Sequence, residues 1–383
     1  VSGALSKTAQ IGVSTESAIP EGGYVTVAQG KAASPAYTLT TDDLNAFSSD
    51  ANYDKQLLNG KIVFTNGTMH QHPICGTKGC EESGHDDKLW LPISDESALR
   101  AATAGYYYLT KDIILWNGTW EPKDSVVLCL NGCNIEANVD SDTIVVNSGR
   151  TFTLTDCKGT TGEYGKITHW GDYKNGRGVS VNGQNAEFIM YGGNISGNTV
   201  TGNGGGVYVN NRATFTMYGG EITGNKATGT NNCGGGVYVS ADATNTNRTS
   251  TFNMYGGTIS GNEATDGSGG GVYVYYSTFN MYGGTIGSAN TGNKAYGKGG
   301  GGVYVFNGTF TMSGSAAVSG NSTADSAGTG HGGGVYVDGI GGTFTMSGSA
   351  AVSGNTASGN GGGVYVENRG SSFNMSGSAA VSD

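Results

Sequence analysis

One phrase keeps returning along this chain, and it constrains the fold more than any other feature. GGGVYV occurs at 204–209, 234–239, 269–274, 300–305, 332–337 and 361–366, each followed by TFTM, TFNM or SFNM and most then by TIS or AVS, Gly and Asn. A weaker copy, GVSV…EFIMYGGNISGN, begins at Gly178. The first valines (Val179, Val207, Val237, Val272, Val303, Val335, Val364) are separated by 28, 30, 35, 31, 32 and 29 residues. Self-similarity at such a period belongs to solenoids, propellers and arrays.

Each period holds three short β-like segments and no helical pattern. VYV, TFTM and TIS alternate with period two, so Val207, Val209, Phe215, Met217 and Ile222 point one way and Tyr208, Thr216, Glu221 and Thr223 the other. Glycine and asparagine sit at the corners, where positive φ is tolerated. Three strands per coil of about 30 residues predict an all-β chain, a right-handed single-stranded parallel β-helix, its hand following the parallel crossover rule. Inward residues then stack as Val, Phe (Phe188 to Phe373) and Met (Met190 to Met375) columns. Asn198, Asn225, Asn262, Asn321 and Asn355 are expected to bond coil to coil as an Asn ladder. About nine coils would give a rod of roughly 45 Å. A propeller needs blades of about 40–50 residues and four strands, more than this period provides.

Composition narrows the partners. Seventy glycines among 383 residues show no three-residue period, which excludes collagen. A formal net charge of −10 with only six arginines leaves no basic stripe, so nucleic acid and anionic membrane surfaces are not expected partners. No apolar run reaches the length of a membrane helix, and a monomer is expected. Ser376–Asp383 stops inside a repeat, so the chain is expected to be a fragment of something longer.

Three regions are expected: a β-rich flanking or cap module over 1–68, a Cys/His segment and β-helix cap over 69–125, and the repeats over 126–383. Residues 70–87 read HQHPICGTKGCEESGHDD, placing His72, Cys75, Cys80 and His85 in H-x2-C-x4-C-x4-H. Four such donors suit a closed, structural zinc site, with His70 as a substitute for His72; a Cys75–Cys80 disulfide or free thiols are the alternatives. SDESALRAA carries an N-cap at Ser94 and a short helical pattern. Trp90, Trp116 and Trp120 read as cap packing rather than a binding box. In the degenerate coils, VVLCLNGC (126–133) aligned with TFTLTDC (151–157) puts Cys133 and Cys157 at matching sites, Cys129 in the core and Cys233 in a corner loop.

Catalytic chemistry finds little support in the regular coils. A glycosidase needs two carboxylates about 5–10 Å apart. Glu221, Asp242, Glu263, Asp266, Asp325, Asp338 and Glu367 read as occupying different places in the repeat. The GHG at Gly330–Gly332 extends the repeat's own glycines. Asp140, Asp142, Asp156 and Asp172, with Arg150 and Arg177, form the best remaining acidic group. What does repeat on the outer side is tyrosine. Tyr208, Tyr238, Tyr273, Tyr304, Tyr336 and Tyr365 share one position, with Tyr275 and Tyr276 beside them. An aromatic column of this kind offers a ligand surface, or simply stiffens the sheet. A second series, Tyr191, Tyr218, Tyr255 and Tyr282, is expected to pack at a corner.

The GGGVYV…TFTMYGGTISGN repeat, the H-x2-C-x4-C-x4-H segment and the YYLTKDI…VLCLNG lead-in resemble the right-handed parallel β-helix repeat proteins on the surfaces of gut Firmicutes, over about residues 70–383. A looser likeness is to the polymorphic outer-membrane adhesins of chlamydiae. The resemblance implies secretion, display on a cell surface and adhesion, with signal and anchor outside this chain. It carries over no catalytic residue. The expected function is therefore a non-catalytic adhesin or stalk that recognises a glycan or a host surface protein. A polysaccharide lyase or glycoside hydrolase working on the degenerate coils, and a passive spacer, are the alternatives.

Overall fold

The computed structural model describes residues 10–14, 24–30, 37–49, 53–58, 61–65, 90–157, 163–171, 175–241, 248–325 and 327–382. From Trp90 onward they form a parallel β-helix. One column has eight strands, from Ile144–Asn147 to Val364–Val366, and carries the VYV segments. A second has eleven, from Trp90–Ile93 to Ser372–Met375, and carries TFTM. A third has ten, from Ile113–Leu115 to Ala380–Ser382, and carries TIS and AVS. Five coils add a fourth strand of two residues, from Thr199–Val200 to Ser322–Thr323, burying Ala227, Ala264 and Ala295. Two residues are too short to show alternation, which is why the period reads as three strands in sequence.

Register is what makes the columns. Val207 pairs with Val237, Phe215 with Phe252, Met217 with Met254 and Ile222 with Ile259. The inward residues are sealed from water, and the phenylalanine rings from Phe188 to Phe344 stack 4.5–4.9 Å apart, nearly parallel. The column begins earlier than expected, at Phe152, against whose face the edge of Trp120 closes the stack. The GGG segments continue the pairing: Gly235 N donates to Gly269 O and Val237 N to Gly271 O. Their third glycine is a packing requirement, since a Cβ on Gly236 would lie 2.6 Å from Gly271 O and 3.0 Å from Asn262 Nδ2. The first is a conformational one, with φ of 71° at Gly234.

The Asn ladder is present and longer than the repeat pattern indicates. In the series Asn198, Asn225, Asn262, Asn293, Asn321 and Asn355, each of the first five sends Nδ2 to the Oδ1 of the next, at 2.8–3.0 Å. That same Oδ1 also accepts the preceding asparagine's backbone N–H. Asn293 lies outside an ISGN context, so sequence reading passes over it. His169 heads the ladder, its Nδ1 2.8 Å from Asn198 Oδ1 and its Nε2 2.9 Å from Ser141 O.

Among the described residues of 1–68, Ile11–Val13 pairs with Phe47–Ser49, and Tyr24–Gln29, Lys61–Thr65 and Asp54–Leu58 form an antiparallel sheet. They have their own apolar cluster of Leu39, Ala46, Phe47, Ile62 and Phe64. No helix of the described residues is long and apolar enough to cross a membrane. The helix expected near Ser94 spans Glu96–Ala101, and its N-cap is Asp95, whose carboxylate accepts from Ala98 N at 2.8 Å. Asp95 takes this role from Ser94 because a charged acceptor favours the helix N-terminus.

Candidate functional site

The outer tyrosine column is packed where a ligand surface would be open. The pleat turns Tyr208, Tyr238, Tyr273, Tyr304, Tyr336 and Tyr365 to the outer face of their sheet, yet Tyr238, Tyr304 and Tyr336 are buried and the others half-buried. Rings 208 to 304 stack on one another at 4.8–5.6 Å, and the Arg177 guanidinium covers the free face of Tyr208 at 4.5 Å. Two of the hydroxyls are engaged too: Tyr304 donates to Asp338 Oδ2 at 2.5 Å and Tyr336 to Glu367. Burial first, then neighbouring Tyr273 and the Asp338 acceptor, hold the Tyr304 hydroxyl far above the ordinary phenol range. Asp338 and Glu367 thus stand at matching places in adjacent coils, following Val337 and Val366, contrary to the sequence reading. Asp338 is 2% exposed and also accepts from Asn368 Nδ2 and Gly339 N, so the pair holds the sheet's outer layer together.

The tyrosines that face water are the second series. Tyr218, Tyr255 and Tyr282 are exposed and stack at 4.8–4.9 Å, with half-buried Tyr191 beginning the column. Within the column the faces of Tyr218 and Tyr255 are taken by their neighbours, which leaves their ring edges and hydroxyls at the surface.

A different aromatic surface lies on the degenerate coils. Trp90 and Trp120 are buried, as expected of cap packing, but Trp116 is 57% exposed and Trp170 44%. Their rings meet edge to face at 5.4 Å. Register explains the meeting: Leu115, Ala137 and His169 are opposite one another, so Trp116, Asn138 and Trp170 follow at one level on three successive coils. Trp116 also lines a cleft of about 610 Å³ with Asp95, Glu96, Arg100, Lys111, Asp112 and Asn117 among its walls.

The turn that presents Trp116 is held from below. Glu96 accepts from Trp116 N at 3.1 Å, Asn117 N at 3.0 Å and Asn117 Nδ2 at 2.9 Å, and pairs with Arg100 at 2.7 Å. Arg100 reaches on to Thr119 O and Gly118 O. Gly118, at φ 87°, closes this turn. Burial pushes the Glu96 carboxyl up, but hydrogen bonds from Arg100, Asn117 and Trp116 outweigh it and hold it below the usual carboxylate range. The other cleft carboxylates also hold backbone, Asp95 at Ala98 N and Asp112 at Asn134 N. The arrangement offers flat apolar edges beside a polar, charged hollow, the combination that grips a sugar ring.

The remaining expectations resolve unevenly. His70, His72, Cys75, Cys80 and His85, the proposed zinc ligands, lie outside the described residues. The acidic group does not assemble. Asp142 pairs with Arg177 at 3.2 Å, Arg150 with Asp124, Asp156 is buried under backbone N–H groups, and Asp172 lies outside the described residues. His331 of the GHG accepts from Asn360 N and stacks on Tyr365 at 4.5 Å. Cys157 does not meet Cys133: register places Thr155 opposite Cys129, and the sulfur near Cys157 Sγ is that of Cys129, at 3.6 Å. Cys129 is buried on the outer side of its strand, with Trp90 and Tyr108, rather than in the central core. Cys233 lies half-buried in its corner, burial pushing its thiol up to about 11.

Trp170 is what sequence reading missed. The signal was available in the third column, where IILW (113–116), IEAN (135–138) and ITHW (167–170) align once coil phase is known. No family model matches this chain, and neither a curated protein nor a solved structure matches it.

Proposed function

We propose that this chain is a rigid stalk segment of a secreted bacterial surface protein that recognises a neutral glycan at Trp116, Trp170 and the adjoining cleft. The carrying observation is the exposed tryptophan pair, fixed on backbone that Glu96 and Arg100 brace. Large apolar rings left in water on a rigid frame are costly unless a partner covers them, and a sugar's C–H face is such a partner. The formal net charge of −10 disfavours polyanionic glycans through long-range repulsion. The cleft carboxylates each hold a backbone turn, which supports binding over acid–base chemistry. The exposed tyrosine edges at 218, 255 and 282 offer a second, weaker contact line along the rod.

The test is a glycan array of neutral oligosaccharides, followed by titration of the best ligand into the Trp116→Ala/Trp170→Ala chain. Saturable binding that disappears in the double variant while thermal unfolding is unchanged is the expected result. Equal binding by the double variant would move the contact to the tyrosine lines. Silence across the array would turn attention to a protein receptor, a spacer role or an enzyme that releases its product.

A further inference from the structure

The thiol pair of the first coils stands in a donor set that the glycan reading does not use. Cys129 Sγ, Cys157 Sγ and an Asp156 carboxylate oxygen lie within 4.8 Å of one another. The Asn131 side-chain oxygen adds a fourth donor, 3.5 Å from Cys157 Sγ. We propose that these four residues form a binding site for a borderline-soft divalent cation of the zinc class, distinct from the Cys/His segment at 70–87.

Geometry argues first. In a tetrahedral site with metal–sulfur bonds of about 2.3 Å and metal–oxygen bonds of about 2.1 Å, sulfurs are separated by about 3.8 Å and sulfur from oxygen by about 3.6 Å. The observed separations are 3.6 Å between the sulfurs and 3.5 Å from Cys157 Sγ to Asn131 Oδ1. The sulfurs stand well beyond the disulfide bond length of about 2.05 Å.

The donors are also aimed before any ion arrives. Asn131 sits at φ 54°, and its Nδ2 donates to Leu109 O at 3.0 Å, which turns its oxygen toward Cys157. Asp156 is held from both sides, by Gly132 N on Oδ1 at 3.0 Å and Gly165 N on Oδ2 at 2.7 Å. A carboxylate has about four lone-pair positions, and these bonds orient it. Cys157 N donates to Cys129 Sγ at 3.4 Å, a bond that a thiolate accepts better than a thiol. Trp90, Tyr108, Tyr106 and Val127 wall the sulfur side with apolar surface. Such outer contacts are what tune a metal site.

Binding would exchange two thiol protons for one cation, giving a bis-thiolate and releasing two protons to solvent. It would clamp the strand Val126–Cys129 to the residues following Thr151–Thr155, one coil on. Two thiolates with two oxygens select zinc-class ions over magnesium or calcium.

Cobalt(II) serves as the probe, added to the fully reduced, chelator-stripped chain. The Cys75→Ser/Cys80→Ser variant isolates the proposed site and is expected to keep one cobalt with a near-ultraviolet thiolate band. Adding Cys129→Ser and Cys157→Ser to it should remove that band, whereas adding Cys133→Ser should leave it. Asn131→Ala should weaken binding by about 10–100-fold. Zinc should raise the unfolding temperature of the Cys75→Ser/Cys80→Ser chain and not that of the Cys157→Ser derivative, which removes only a half-buried thiol and guards against a folding defect. A cobalt spectrum that is the same with and without Cys129 and Cys157 overturns the proposal.

Discussion

The regular coils and the degenerate coils solve one packing problem in two ways. From Gly178 to the C-terminal strand, the column positions repeat, so Phe stacks on Phe, Asn bonds Asn and Tyr covers Tyr. The surface that results is uniform, and its aromatic rings are largely occupied by their own copies. Between Trp90 and Trp170 the strands keep register but the residues change from coil to coil. There the exposed tryptophans, the charged cleft, the thiol cluster and the histidine that begins the Asn ladder are found. Repetition builds the rod, and departure from repetition makes room for chemistry.

The sharpest way to break this comparison is to truncate one aromatic residue in each region. Phe252→Ala, buried between two stacked rings at 4.5 and 4.6 Å, should cost about 3–5 kcal/mol, measured by denaturant unfolding. Trp116→Ala should change stability by no more than about 0.5 kcal/mol while weakening glycan binding. Comparable stability losses for the two would mean that Trp116 is a packing residue.

Next in size is the ladder. Asn262→Ala removes the acceptor of Asn225 N and Asn225 Nδ2 and the donor to Ile222 O, all buried. Each group left unmet costs about 1–3 kcal/mol, so unfolding should show a loss at the upper end of that range or beyond it. At the boundary between the regions, His169→Ala should cost about 1–3 kcal/mol. His169→Asn should cost less, because an amide continues the ladder. Equal losses in the two His169 variants would show that ring packing, not hydrogen bonding, is what the site needs.

The smallest effect concerns acid. Glu96 in the folded chain titrates below the usual carboxylate range. A depressed folded value stabilises above the unfolded pKa and loses that contribution as pH falls through the folded one. Thermal unfolding of wild type and Glu96→Gln should therefore differ near neutrality and converge as pH drops below the carboxylate range. A gap that stays constant with pH would show that Glu96 acts there only through its shape.

How much of this was legible in the sequence follows the same division. Columns of Val, Phe, Met and Ile were readable because the same residue returns in the same phase, and parallel pairing places equals opposite equals. The tyrosine column was readable in direction but not in burial. Its covering depends on Asp338, Glu367 and Arg177, each from a different coil and outside the repeated phrase. Trp116 and Trp170 were hidden by an intervening coil whose equivalent residue is Asn138, so no local pattern joins them. The Cys129–Cys157 contact was missed by a two-residue misalignment, the kind of error that strand register corrects and composition cannot.

The Asn ladder has one further consequence, which is electrical. From Asn198 to Asn321 each amide points one N–H toward the C-terminal coils, and from Asn225 to Asn355 each points its oxygen toward the first ones. Six group dipoles laid head to tail polarise one another and behave as one long dipole, as peptide units do in a helix. Its negative pole is the oxygen of Asn198, and the chain places there the ring nitrogen of His169. The dipole thus ends on that ring, 2.8 Å from the Asn198 oxygen. The β-helix therefore has a built-in polarity along its axis, with its negative end directed at the coils that carry the tryptophans and the cleft.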